Sequence, residues 1–245
     1  HTENVLLNNS NDIKIRKNKK KVITIFGKKQ LEAFNISVPG DPSSAAFFTA
    51  LTLLNKDSSI KIKNVGLNPT RTGFYKLLIK HGAKIKFINT KKENNELSGD
   101  ILVKSSKIKP LKASKSYYVN STDEYPILFI ISALNNGKSI FKGIGDLANK
   151  ESNRIKEMQK ILRQLGVKSI SKKNELIIYG KGMVDGVNKN INVPNLGDHR
   201  ICMSAFILGI LTGTKTKIKN FETVFTSSPS FLRIIKLIGA KYEKY

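Results

Sequence analysis

The chain has 245 residues, 40% of them hydrophobic, which is enough for one large domain with a real core. Its net charge of +25 comes from lysines spread widely and often alternating with Ile or Val, as in Ile60-Lys61-Ile62-Lys63, a pattern of strands with one wet face rather than of a polyanion site. A lone Cys202 excludes an internal disulfide framework or zinc cluster and fits a reducing, cytoplasmic compartment, and the longest apolar runs, 127–134 and 205–211, are too short to span a membrane.

The chain begins at His1, with no signal or transit pattern behind it, so the sequence is expected to start inside a longer protein. Residues 1–7 read as an interrupted helix. Residues 12–26 read as a lysine-rich hairpin turning near Asn18. Three blocks with one order of features follow. The first opens on Val38-Pro39-Gly40-Asp41 and continues with an apolar helix over 45–54 and a strand over 59–65. A second helix ends at His81-Gly82-Ala83, and a strand covers 84–87. The second block opens on Ser121-Thr122-Asp123, with an apolar helix over 127–134 and a strand over 138–141. Its second helix ends at Leu165-Gly166-Val167, before a strand pair over 167–170 and 175–179. The third opens on Leu196-Gly197-Asp198, with an apolar helix over 201–211, a strand over 216–219 and a second helix ending at Ile238-Gly239-Ala240. Asp41, Asp123 and Asp198 stand 82 and 75 residues apart, and each is placed to cap its helix. A unit of this kind cannot bury its own apolar helix. The expected fold is therefore α+β, with three repeated helix/strand units, the apolar helices inside and the sheets outside.

The run Lys150-Glu151-Ser152-Asn153-Arg154 carries the chemistry. Ile155, Met158, Ile161, Leu162 and Leu165 recur behind it at helical spacing, so the run is predicted to form a first helical turn. Lys150 and Arg154, at i and i+4, then share a face at the positive end of the helix, which suits an anion. Glu151, a carboxylate among cations, suits proton transfer. Plainer readings stand beside these. Taken without the other motifs, Asp123 reads as a helix cap; Lys150 and Arg154 could be a solvated face, though their place at a helix start favours a ligand, and Arg200 could pair with Asp198. His199 reads as structural, His81 as a cation on the negative end of its helix, and Cys202 as an inert buried thiol. The stretch 39–44 is a hinge and cap without the P-loop pattern, and 68–73 is a turn and helix start without a catalytic role.

Four motifs in order resemble the 5-enolpyruvylshikimate-3-phosphate synthase family: Val38-Pro-Gly-Asp-Pro-Ser-Ser-Ala-Ala-Phe-Phe48, Asn68-Pro-Thr-Arg-Thr-Gly73, Lys150-Glu-Ser-Asn-Arg154 and Gly197-Asp-His-Arg-Ile-Cys-Met203. Thr226-Ser-Ser-Pro229 looks like the family's late Thr-Ser-x-Pro. The match covers only the C-terminal part of a two-domain protein whose substrates sit between the domains. The resemblance implies that residues 1–37 are the remnant of the last N-terminal repeat. It implies that 38–245 form the C-terminal enolpyruvyl transferase domain, with repeats at about 38–110, 111–185 and 186–245. The missing N-terminal domain is then the partner of this chain, and the intact protein a monomer without cofactor or metal.

The activity implied is transfer of the enolpyruvyl group of phosphoenolpyruvate to the 5-hydroxyl of shikimate 3-phosphate. By position, Asp123 matches the aspartate that contacts that hydroxyl and takes its proton, and Lys150 the lysine that bridges the two substrates. Glu151 matches the glutamate that handles the methylene proton, and Arg154 and Arg200 the arginines that hold phosphoenolpyruvate. Asn153 stands where the family often has aspartate, and Thr226 where one branch has a lysine; Asp146 carries no assigned role. Two other functions compete. UDP-N-acetylglucosamine enolpyruvyl transferase shares fold and chemistry but lacks the Lys-Glu-Ser-x-Arg run. A basic nucleic-acid-binding module would use the charge, but no aromatic-rich basic patch or binding motif supports it, so neither a nucleic acid nor a membrane is the expected partner.

Overall fold

Three helices are apolar on nearly every side, and their burial organises the rest. They are α2 (Pro42–Leu54), α5 (Tyr125–Ala133) and α7 (His199–Thr212), and each packs against the other two. Every residue of α5 is buried. A helix with no polar face is stable only when enclosed, and each Leu, Ile or Phe so buried contributes about 1.5–3 kcal/mol. The computed structural model describes residues 2–9, 13–17, 21–25, 33 and 35–243.

Sheets flank the helix core. In the first unit β3 (Ser59–Gly66), β4 (Lys84–Glu93) and β5 (Glu96–Lys104) form an antiparallel sheet in the order β3-β5-β4. Lys61 and Lys63 stay exposed on β3 while Ile60 and Ile62 turn inward, which is the expected alternation. The strand expected over 84–87 continues to Glu93. It turns at Asn94 and Asn95, both at positive φ (48° and 59°), a hairpin turn that asparagine tolerates. In the second unit β6 (Lys112–Ala113), β7 (Asn136–Lys142), β8 (Lys168–Lys172) and β9 (Glu175–Lys181) run in the order β6-β7-β9-β8. The third unit has a parallel pair, β10 (Asn190–Val193) with β11 (Lys215–Ile218).

A second helix accompanies each unit: α3 (Gly73–Lys80), α6 (Arg154–Gln164) and α8 (Phe231–Leu237). These are amphipathic; α6 buries Met158, Ile161 and Leu162 and leaves Arg163 exposed. Phe231 of α8 is wedged among Phe47, Phe48 and Phe206. His81 stands at the C-terminal end of α3. Its Nδ1 lies 2.8 Å from the Leu77 carbonyl while its Nε2 accepts from the Lys112 N–H at 3.1 Å, so the ring clasps the end of α3 to β6. At the N-terminus α1 (Thr2–Asn9) precedes the antiparallel pair β1 (Ile13–Lys17) and β2 (Lys21–Ile25). The turn expected at Asn18 lies outside the described residues. Among the described residues no helix is long and apolar enough to cross a membrane.

Candidate active site

The three buried helices bring their N-terminal ends together. Asp41 caps α2 by accepting from the Ser43 and Ser44 N–H groups (3.2 and 2.8 Å), and Asp198 caps α7 by accepting from Arg200 and Ile201 (3.0 and 3.4 Å). Asp123 departs from the expected pattern. It lies in a 3-10 turn, Thr122–Glu124, that leads into α5, and it caps nothing; the residue before the helix is Glu124, without a side-chain cap. The physical reason is Pro126 in the first turn of α5, which removes one of the donors a cap would serve. Relieved of that duty, the Asp123 carboxylate faces two arginines, Arg154 NH1 at 3.5 Å and Arg200 NH2 at 3.4 Å.

Arg154 is the more deeply held of the two. Its side chain is 1% exposed, and it grips the fully buried Asp198 through Nε at 3.0 Å and NH2 at 3.4 Å, while NH2 also meets Glu151 Oε2 at 2.5 Å. Ser152 Oγ donates to the same Asp198 carboxylate at 2.9 Å. Neither charge could be buried alone without a large desolvation penalty. Arg200 does not pair through its side chain with Asp198, as expected from their closeness in sequence. Only its backbone N–H reaches Asp198, and its guanidinium turns to Asp123. Among the described residues, the buried Arg154 NH1, Arg200 Nε and Arg200 NH1 have no hydrogen-bond acceptor. A guanidinium cannot shed its charge, so its uncommitted N–H groups favour an acceptor, above all an anionic one.

Lys150 stands apart from this cluster, and the helix start expected there is displaced. A 3-10 turn, Gly145–Asn149, ends at Lys150, and α6 begins only at Arg154, with Asn153 as its cap accepting from the Lys156 N–H at 3.0 Å. Lys150 and Arg154 therefore share no helix face. Lys150 Nζ pairs with Asp146 Oδ2 at 2.8 Å, and the Tyr118 hydroxyl donates to the same oxygen at 2.8 Å. These bonds, led by that from Lys150, hold the Asp146 carboxyl below the usual aspartate range. Thr226 is exposed and donates to the Thr223 carbonyl, with no bond to the arginine cluster.

Beside Asp123 lies a pocket of about 200 Å³ lined in part by Ser43, Arg71, Asn120, Asp123 and Glu124. Sequence reasoning passed over Ser43, Arg71 and Glu124. Arg71 NH2 donates to Ser43 Oγ at 2.8 Å and reaches Asp41 at 3.3 Å, and Ser43 Oγ in turn donates to Glu124 Oε1. Glu124 is 2% exposed, and burial pushes its carboxyl up to about 7 against the opposing Ser43 bond and the Arg200 charge. The available signal was a glutamate directly abutting an apolar helix, which must be buried with it. His199 is half-buried, and burial followed by the Arg200 charge lowers its pKa. Burial raises the Cys202 thiol to about 12, in keeping with an inert group. A groove of about 330 Å³ by Gly166 and Ser169, past the C-terminal end of α6, holds none of these groups.

The family model for EPSP synthase (3-phosphoshikimate 1-carboxyvinyltransferase) matches residues 1–235. The chain belongs to the EPSP synthase family. It is 36% identical to the 3-phosphoshikimate 1-carboxyvinyltransferase of Zymomonas mobilis across 99% of its own residues and 54% of that relative. To the enzyme of the same name from Petrotoga mobilis it is 40% identical, across 86% of this chain and 48% of the relative. The EPSP synthase of Acinetobacter baumannii superposes with a TM-score of 0.88 at 31% identity, covering all of this chain and 55% of that one. The chain thus spans about half the length of the curated relatives it matches. The resemblance leads one to expect aspartate where Asn153 stands. The cap geometry explains why asparagine serves, since either side chain supplies the oxygen that the Lys156 N–H needs.

Proposed function

We propose that this chain supplies one face of a cleft in which an enolpyruvyl group passes from phosphoenolpyruvate to the 5-hydroxyl of shikimate 3-phosphate, with release of phosphate. The observation that carries the reading is the pair of buried arginines, Arg154 and Arg200, which both face Asp123 and keep N–H groups without an acceptor among the described residues. Both substrates are multiply anionic, and N–H groups fixed in a buried setting favour charge that develops during reaction. In this reading Arg154 and Arg200 hold phosphoenolpyruvate. Asp123 accepts the proton of the attacking hydroxyl, and Glu151, next to Arg154, delivers one to the methylene carbon. The resulting tetrahedral intermediate loses phosphate and one proton of the new methyl group, which the now ionised Glu151 takes back, to restore the double bond. Lys150 bridges the two substrates, which requires it to exchange Asp146 for a substrate oxygen.

The division into a remnant at 1–37 and an enolpyruvyl transferase domain at 38–245 belongs to the same proposal. So do a monomeric intact protein, a cytoplasmic setting, and an opposite cleft face formed by a domain equivalent to the portion of the relatives that this chain does not cover. The 245-residue chain alone is then expected to be inactive. The test is phosphate release from phosphoenolpyruvate and shikimate 3-phosphate, measured for the chain alone and fused behind the uncovered N-terminal portion of the Zymomonas relative. The fusion should turn over, and Lys150→Ala in it should lose most activity without loss of folding. Turnover by the chain alone, or a fusion that accepts UDP-N-acetylglucosamine in place of shikimate 3-phosphate, sinks the reading.

A further inference from the structure

Two carboxylates are buried at the meeting point of the three helices, and their surroundings differ sharply. Asp198 accepts from the Nε and NH2 of Arg154, from Ser152 and from two backbone N–H groups. Glu124, 2% exposed, accepts one bond, from Ser43. Arg71 donates to the same Ser43 oxygen at 2.8 Å, and the Ser43 hydroxyl donates on to Glu124 Oε1. With Oε1 so engaged, Oε2 is the Glu124 oxygen available to carry a proton. The adjacent residue, Asp123, is the one carboxylate on the Arg200 guanidinium among the described residues.

We propose that Glu124 is the proton-linked counter-charge of the arginine site, so that an anion held by Arg200 and a proton on Glu124 favour one another. The inference rests on the anion site of the preceding section and gives that site a regulator. Arg154 is already compensated by Asp198 and Glu151, so most of the uncommitted positive charge is that of Arg200. An ionised Glu124 beside Asp123 compensates Arg200 a second time and weakens its hold on an incoming anion. A protonated Glu124 restores that hold. The charged and titratable groups that act on Glu124 are Asp123 and Tyr125 on its own segment, Arg200 of α7, Arg71 before α3 and Tyr75 of α3. Burial already disfavours the ionised form, and Arg200 and Arg71 are the charges that oppose this. The sign follows by reciprocity: anion affinity rises as pH falls through neutrality, and anion binding draws a proton from solvent.

Sulfate is the probe, because its charge does not change near neutral pH. Its binding to the 245-residue chain is measured by titration calorimetry at pH 6 and pH 8, in two buffers of different ionisation enthalpy so that proton uptake is counted. We expect affinity to be about five-fold weaker at pH 8, with proton uptake at pH 7. Glu124→Gln, which keeps the acceptor for Ser43, should flatten the pH dependence and abolish the uptake. His199→Asn should leave both in place, separating Glu124 from the nearby imidazole. A pH-independent affinity, no proton uptake, a slope that survives Glu124→Gln, or one lost in His199→Asn overturns the role of Glu124 and leaves the anion site standing. Absence of sulfate binding at both pH values overturns the anion site and the regulator together.

Discussion

Arg154 shows how a single side chain can be both scaffold and reagent. It is 1% exposed and joins α6 to α7 through Asp198, while its remaining NH1 lies toward Asp123. Replacing it by methionine leaves Asp198 buried without its cation, and the chain should lose about 3–5 kcal/mol of unfolding free energy in urea titration. Adding Asp198→Asn, which keeps an oxygen for the helix cap, should recover a large part of that loss. A double variant no better than the single one would show that the pair is not the source. Glu124 yields a second prediction, with the opposite dependence on charge. Its folded-state pKa is raised to about 7, so the folded chain binds a proton there that the unfolded chain releases at lower pH. Its contribution is fully present below the ordinary glutamate range and is lost as pH rises through 7. Glu124→Gln should therefore gain stability relative to the parent between pH 5 and pH 8, by about 1–3 kcal/mol. Parallel stability curves for the two proteins would exclude this.

At the scale of elements, the glycine of a strand sets how closely sheet and helix approach. A Cβ on Gly180 of β9 would stand 1.9 Å from the Asn135 carbonyl and 2.1 Å from that of Ser132, just where α5 ends. Backbone oxygens cannot step aside as a side chain can, so Gly180→Ala should cost more than 3 kcal/mol, as overpacking at its upper limit does. A thermal midpoint within two or so degrees of the parent would mean that sheet and helix separate freely. The apolar helices were legible in the sequence because a run such as 127–134 has only one stable environment. The starts of α5 and α6 were less legible. Asp123 was read as a cap, but Pro126 and a 3-10 turn took over that end. The run at Lys150 was placed on a helix, but the cap belongs to Asn153, three residues later. Periodicity shows which face of a helix is buried; the choice among several polar residues at its end depends on partners distant in sequence.

Over the whole molecule, the charge of +25 is carried by lysines spread over strands, helices and loops, whereas the buried cations among the described residues are two arginines at the meeting of the helices. Dispersed exposed lysines give weak, strongly screened attraction to any polyanion. Duplex DNA should accordingly bind detectably at low salt and not at physiological salt. Affinity that persists there would revive the nucleic-acid reading. The site itself was only partly legible at this scale. Arg154, Arg200, Asp123 and Glu151 came forward as motif residues and do meet. Arg71, Ser43 and Glu124 belong to three segments that only the packed core brings together.

The enclosure of α5 has a consequence in time as well as in space. A helix buried on every residue has no partial opening that leaves the rest intact, so its amides should exchange with solvent only through global unfolding. Asp123 and Glu124 sit at the root of that helix and share its permanence. Lys150, Glu151 and Ser152 lie in an irregular link between two short helical segments, where exchange should be faster by orders of magnitude. One side of the site is thus set once, when the chain folds, and the other is free to settle each time something binds.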